Sequence, residues 1–164
     1  MDGGEKPVLI GKLISGGQTG ADRAALDVAL ELGIPHGGFV PRRRSAEDGP
    51  IHTRYQMTEL PEDNYDARTR ANLEAADATL IVSLGPLKGG SALTWRLARK
   101  LAKSVLHVDR STCSREQAVA AIRQWLAERR PAVLNVAGPR ESTTPGIYRE
   151  VRDLLHAVLG ATDA

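Results

Sequence analysis

Short apolar runs alternate along the chain with longer amphipathic ones, and that alternation predicts strands feeding into helices. VLIGKLIS (8–15) reads as a first strand, with its early half interrupted by Gly11 and Lys12. Past the glycine turn that follows, Ala21, Ala24, Ala25, Val28, Ala29 and Leu32 recur at helical spacing, and Gly33 ahead of Ile-Pro supplies a stop. So many alanines would let this helix lie close to a sheet. HGGFVP (36–41) predicts a short second strand ending at Pro41. The next stretch (42–65) is polar and turn-rich, with one short strand expected around Tyr55 to Leu60. A loop that long inside a compact domain is usually functional or disordered.

The second half repeats the rhythm more clearly. ARTRANLEAAD (67–77) is a helix candidate and ATLIVSLG (78–85) a buried strand. GGSALTWRLARKLAK (89–103) opens a helix with Ser91 as expected N-cap. Its Arg96, Arg99, Lys100 and Lys103 form a solvated face opposite Leu93, Leu97 and Leu101. SVLHVD (104–109) is a strand. In the helix after it, Ser114 and Gln117 form a capping box and Ala118, Val119, Ile122, Trp125 and Leu126 an apolar stripe. AVLNVAG (132–138) is the last strand. The final helix is expected to start with Thr144 as N-cap and Pro145 at its first position, then to bury Ile147, Val151, Leu154, Leu155 and Val158. Strands alternating with helices of this length predict right-handed crossovers and a mostly parallel sheet in an α/β fold. No internal repeat or linker divides the chain, so 1–164 reads as a single domain with 1–7 and 160–164 frayed.

Composition narrows the function classes. The chain has 164 residues, 41% hydrophobic and 26% charged, with a net charge of +2. That suits a globular protein and gives no global field for nucleic acid or a membrane surface. No run approaches the ~18 apolar residues of a membrane span, and the start does not resemble a signal peptide. With Cys113 as its one cysteine, the chain has no disulfide framework and no thiolate metal cage. A cytoplasmic protein is expected.

Three segments at strand-to-helix positions carry unusual chemistry: SGGQTGADR (15–23), SLGPLKGGSALT (83–94) and NVAGPRESTTPG (135–146). In parallel sheets, ligands bind beyond the carboxyl ends of the strands. Glycines remove the Cβ, so main-chain N–H groups can converge on a ligand, and a helix start adds free donors and partial positive charge. Gln18 and Thr19 add side-chain hydrogen bonds, and Lys88 stands just before Gly89 and Gly90. Neither the dinucleotide fingerprint nor a P-loop is present. The plain alternative at any one of these loops is a tight turn into a helix; the repetition favours a ligand carrying an anion.

Other groups stay ambiguous. Arg140 and Glu141 either clamp their loop or contact the ligand. Arg42, Arg43 and Arg44 are either solvated or close over a phosphate. Asp22 complements the helix dipole. Glu47 and Asp48 suit turn chemistry. His36, His52, His107 and His156 show no metal-ligand pairing, and His107 is expected in the core or at its rim. No nucleophile, histidine and acid can be assembled from spacing.

Taken in order, GGQTGADRAALD, AEDG, RTRANLEAADATLIV, GGSALT, NVAGPRES and PGIY resemble the molybdenum-cofactor carrier-like family within the SLOG group of Rossmann-like folds. The resemblance covers nearly the whole chain. It implies a three-layer α/β sandwich, often assembled as a homo-oligomer. It also implies binding of a phosphate-bearing cofactor, with molybdenum cofactor, a pterin dithiolene with a terminal phosphate, as the named candidate. Apo molybdoenzymes are then possible recipients. Carried onto this chain, the binding residues are Gly16, Gly17, Gln18, Thr19, Gly89, Gly90, Ser91 and Thr94, with Arg44, Lys88 and Arg140 as charge partners. Arg43 stands where the family pattern implies glycine, so its loop is expected to be arranged differently.

Two other readings share the cradle. One resembles SLOG nucleoside-monophosphate phosphoribohydrolases, with Asp22, Asp48 or Glu141 as the acid/base group. Arg96 falls where such enzymes carry a glutamate, and an arginine cannot replace a carboxylate. The other is a nucleotide sensor that changes assembly state.

Overall fold

The computed structural model describes residues 10–160. In chain order the elements are β1 (Lys12–Ile14), α1 (Ala21–Leu32), β2 (His36–Gly37), β3 (Phe39–Val40) and a single 3₁₀ turn at Arg42–Arg44. There follow β4 (Thr58–Glu59), α2 (Tyr65–Ala75), β5 (Ala78–Ser83), α3 (Gly89–Lys100), β6 (Ser104–Asp109), α4 (Arg115–Arg129), β7 (Val133–Ala137) and α5 (Ile147–Leu159). The expected frayed ends and the first residues of the predicted first strand lie outside the described residues, except Gly160, which closes α5.

The main sheet has five strands in the order β2-β1-β7-β5-β6, with parallel pairing throughout. β7, last in the chain, lies between β1 and β5, so the carboxyl ends of β1, β7 and β5 are neighbours. All six residues of β5 are buried, the polar Thr79 and Ser83 included, as befits a central strand of a parallel sheet. α1, α4 and α5 cover one face and α2 and α3 the other, which makes the three-layer α/β architecture. Ala21, Ala24, Ala25 and Ala29 of α1 are fully buried, and their small side chains let α1 sit tightly on β1, β7 and α5.

Several element boundaries differ from the sequence reading, each for a local reason. HGGFVP is two strands. The chain passes Ser15 at Gly38, where a Cβ would meet the Ser15 carbonyl oxygen at 2.0 Å, and leaves the main sheet to pair β3 with β4. α5 starts at Ile147, because the Glu141 carboxylate accepts from Gly146 N at 2.7 Å and Tyr148 N at 2.9 Å; Thr144 and Pro145 stay in the preceding turn. Ser91 is not the N-cap of α3: Lys88 holds that position and Ser91 lies inside the first turn. The buried face of α3 is Ser91, Thr94 and Ala98, whereas Leu93, Leu97 and Leu101 are half-buried, since α3 covers the edge strand β6. Arg96, Arg99 and Lys100 are exposed as expected, but Lys103 turns back to the carbonyl of Ala76 at 3.1 Å, at the end of α2. The Ser114–Gln117 capping box is formed on both sides.

The loop around Arg43 is not rearranged to avoid a glycine conformation. Arg43 itself takes the left-handed backbone, φ 66°, and donates its N–H to Glu59 Oε1 at 2.9 Å.

Candidate functional site

A cavity of about 470 Å³ opens where β1, β7 and β5 end, within the size range of small-molecule sites. Gly16, Gln18 and Asp22 from the first loop and α1 form one wall, and Arg68, Thr69 and Asn72 of α2 another. Lys88, Gly89, Gly90, Ser91 and Thr94 close it from the β5–α3 side, and Gly138, Pro139 and Arg140 from the β7–α5 side.

Side-chain hydrogen bonds knit the loops together. The Gln18 side-chain oxygen accepts from Thr19 N at 3.0 Å and Glu47 N at 2.8 Å. The Arg23 guanidinium holds the Gly17 carbonyl at 3.0 Å and Asp48 at 2.9 Å. Glu47 accepts from the hydroxyls of Thr19 and Ser142, and these bonds hold its carboxyl below the usual range, that from Ser142 contributing most. Thr19 Oγ accepts in turn from Glu141 N at 3.2 Å. Glu47 and Asp48, read as turn residues, therefore tie the long polar loop to the first and third glycine loops.

Of the predicted binding residues, Gly16, Gln18, Lys88, Gly89, Gly90, Ser91, Thr94 and Arg140 meet at the cavity. The other three lie elsewhere. Gly17 packs into the small core around Val40 and Ile51, where a Cβ would meet Ile51 Cδ1 at 2.8 Å. Thr19 is spent on Glu47 and Glu141. The Arg44 guanidinium is taken by the carbonyls of Ile51, His52 and Tyr55 at 2.7–2.9 Å, which shapes the long loop instead of reaching the cavity.

The two glycine starts differ in what their bareness is for. A Cβ on Gly89 or Gly90 would meet nothing within 4 Å, so their backbone faces open space. α3 also has no side chain capping its first amides, which leaves donors and the positive end of the helix free at the cavity. A Cβ on Gly16 would instead meet Arg68 Cδ and Nε, each at 2.9 Å, and Asp22 Oδ2 at 3.0 Å. Gly16 is bare because an arginine crosses it.

Arg68 is a cavity residue that sequence reading does not single out. In the sequence, 67–77 reads as a helix with no site residue assigned to it. The available signal was polar spacing: Arg68 and Asn72 stand four apart on the side turned to the sheet. Asn72 is buried and saturated, accepting from Phe39 N at 2.8 Å and donating to the carbonyls of Phe39 and Arg68. It fixes α2 to β3 and so fixes the backbone of Arg68. The Arg68 guanidinium lies 5.0 Å from the Tyr65 ring centroid, and Arg140 stands 5.7 Å from the same ring.

Among the described residues, two buried donors of residues that line the cavity have no partner: Gln18 Nε2 and Arg68 Nη1. Orientation ambiguity does not rescue the first, because the amide oxygen is already fixed by two backbone N–H groups. A buried unsatisfied donor costs roughly 1–3 kcal/mol, more when charged. Beside them Asp22, 6% exposed, accepts from Gln18 N at 3.3 Å. Burial pushes its carboxyl up to about 6 against the opposing pull of Arg68 and, less, of the Gln18 N–H, Arg23 and Arg140. Asp22 is thus more than a dipole complement.

Ser83 also reaches the cavity, and its hydroxyl lies 2.7 Å from His107 Nε2 and 2.6 Å from the Gly85 carbonyl. The single hydroxyl proton serves the Gly85 carbonyl, with His107 donating to the oxygen. Asp109 binds Gly85 N at 2.8 Å, so the three side chains hold the β5–α3 turn. His107 is half-buried at the sheet's edge, and burial lowers its pKa. Among the described residues no His, Cys, Asp and Glu group is arranged to hold a metal, and no helix is long and apolar enough to cross a membrane.

Residues 13–159 match the model of the circularly permutated YpsA SLOG family. No curated protein matches the chain. A crystal structure at 1.45 Å resolution, described as a putative molybdenum carrier protein from Syntrophus aciditrophicus SB, is similar to this one with a TM-score of 0.92 and 49% sequence identity. The match covers 95% of this chain and 98% of that one.

Proposed function

The chain belongs to the circularly permutated YpsA SLOG family, and on that premise we propose that its cavity binds a small molecule bearing a phosphate or comparable anion. The observation that carries this reading is the pair of buried donors, Gln18 Nε2 and Arg68 Nη1, left without acceptors on the wall of one cavity. Around them the chain offers donors almost throughout: the free start of α3, Lys88, Arg140 and the hydroxyl of Ser91. Such a set suits an acceptor-rich, negatively charged guest.

Molybdenum cofactor is the first ligand to test, since the similar structure is described as a molybdenum carrier. The residues fit such a group in kind: Lys88, Arg140, Arg68 and the free start of α3 offer charge and donors for a terminal phosphate, and Gln18 and Ser91 offer hydrogen bonds for polar ring edges. Bound, the cofactor would supply the metal chemistry of a recipient apo molybdoenzyme, and this chain would hold it and shield it from water.

Native mass spectrometry of gently purified protein, followed by calorimetric titration with phosphate monoesters, tests the reading. A bound phosphate-bearing species is expected, together with at least a tenfold loss of affinity in Gly90→Val, whose side chain would fill open space at the cavity without touching the core. A protein that binds no phosphate monoester, or a Gly90→Val variant that binds as well as the wild type, would refute it.

One observation favours a second reading, a nucleotide-processing enzyme. Of the three candidate acid/base carboxylates, Asp22 alone faces the cavity. Asp48 is paired with Arg23, and Glu141 is committed to the start of α5. Turnover of nucleoside monophosphates that disappears in Asp22→Asn would select this reading over a carrier.

A further inference from the structure

Arg68 and Asp22 both lie about 3 Å from the point that a Gly16 Cβ would occupy. Although they are such close neighbours, Arg68 Nη1 has no hydrogen-bond partner, Asp22 included. A guanidinium nitrogen that declines a neighbouring buried carboxyl, and an amide donor equally without an acceptor, thus belong to residues lining one cavity together with a titratable acid. We infer that the part of the cavity lined by Arg68 and Gln18 is a tetrahedral oxoanion subsite, and that it fills together with a proton on Asp22. The inference rests on the anion-binding reading above and goes beyond it by naming the subsite, its residues and its coupling to a proton.

The chemistry follows from charge. An ionised Asp22 offsets the positive charge of Arg68 and repels an incoming oxoanion through the low-dielectric wall they share. A protonated Asp22 removes the repulsion and leaves Arg68 free to form charge-assisted hydrogen bonds. The groups facing Asp22 are Arg68 from α2, Arg140 from the β7–α5 loop, Arg23 on its own helix and the Gln18 N–H. All four favour its ionised form, yet burial outweighs them and places its titration at about 6. An anion brought into the subsite pushes that titration higher still, so binding draws a proton from solution. Asn72 and Tyr65 position Arg68 without supplying further charge.

Sulfate is the probe, because it does not titrate between pH 5 and 8. Calorimetry of the full chain with sulfate at pH 5.5, 6.5 and 7.5 is expected to give an affinity falling about eightfold between the last two values, as linkage to a group titrating near 6 requires. Asp22→Asn is expected to bind sulfate independently of pH, and at pH 7.5 more tightly than the wild type. Arg68→Gln is expected to lose binding at least tenfold at every pH while keeping its melting temperature within a few degrees. Methyl sulfate distinguishes the source of the anion: binding within threefold of sulfate means the subsite takes the terminal group of an ester, much weaker binding means it takes a free oxoanion. If Lys88→Ala abolishes sulfate binding and Arg68→Gln does not, the anion sits at the start of α3, and the subsite is overturned while the general reading stands. A pH-independent wild-type affinity overturns the proton coupling. Failure of sulfate, methyl sulfate and every phosphate monoester to bind overturns both.

Discussion

Arg68 crosses Gly16 so closely that a single added methyl group would lie 2.9 Å from both its Cδ and its Nε. The far end of an arginine is flexible, so Gly16→Ala should fold, with a stability change below about 1 kcal/mol. The arginine must swing away, however, and take its guanidinium with it. Sulfate affinity is expected to fall at least fivefold, as read by calorimetry alongside a denaturation curve. A variant that binds like the wild type would mean that the path of Arg68 over Gly16 is irrelevant to the cavity.

Asp22 makes stability depend on pH in a direction opposite to a salt-bridged carboxylate. Its folded titration is raised from 3.8 to about 6, so the folded state binds more protons than the unfolded state between those values, and stability falls as pH rises through them. Above pH 6 the ionised group costs on the order of 3 kcal/mol. Asp22→Asn retains an oxygen to accept from Gln18 N and avoids the charge. Urea denaturation is expected to find it more stable than the wild type at pH 7.5, by up to that amount, and equal to it at pH 4. Equal stability at both values would contradict the burial of a charge at this position.

Glycines of the first and second loops should respond oppositely to alanine. At Gly20 a Cβ would meet the Pro139 carbonyl oxygen at 2.4 Å and Glu141 N at 2.8 Å, both backbone atoms of the third loop, which cannot yield cheaply. Gly20→Ala is expected to lose about 2–4 kcal/mol. At Gly90, inside α3 with nothing within 4 Å, alanine improves helix propensity by up to about 1 kcal/mol. Thermal melts of the two variants check both signs.

These glycines mark what a sequence conveys and what it does not. The order of strands and helices was legible because β5 and β7 are apolar runs and because α1 and α5 keep their stripes. The placement of ligand-seeking loops at strand ends followed from that order. Which glycine faces open space and which faces protein was not legible: Gly16, Gly17, Gly89 and Gly90 look alike in a string, and long-range packing by Arg68, Ile51 and Val40 separates them. Arg44 illustrates the same limit. A cation after a strand reads as an anion partner, yet three carbonyls of its own loop claim it. Arg68 was hidden for the converse reason: its role depends on Asn72 tying α2 to β3, a contact between residues 33 apart.

Arg43 offers a prediction in the opposite direction, toward greater stability. Its backbone is left-handed, φ 66°, where a Cβ crowds the following carbonyl and costs roughly 1–2 kcal/mol. Glycine at this position would relieve that strain and keep the N–H bond to Glu59, since the donor belongs to the main chain. Against the relief stands the extra freedom of an unfolded glycine, roughly 0.5–1 kcal/mol. The exposed side chain adds little, so Arg43→Gly is expected to gain up to about 1 kcal/mol in chemical denaturation. Arg42→Gly serves as the control: Arg42 is not left-handed, so glycine brings only the entropic loss there and stability should fall. If both variants fall by the same amount, the left-handed turn at Arg43 carries no strain, and its arginine is as well suited to the loop as glycine.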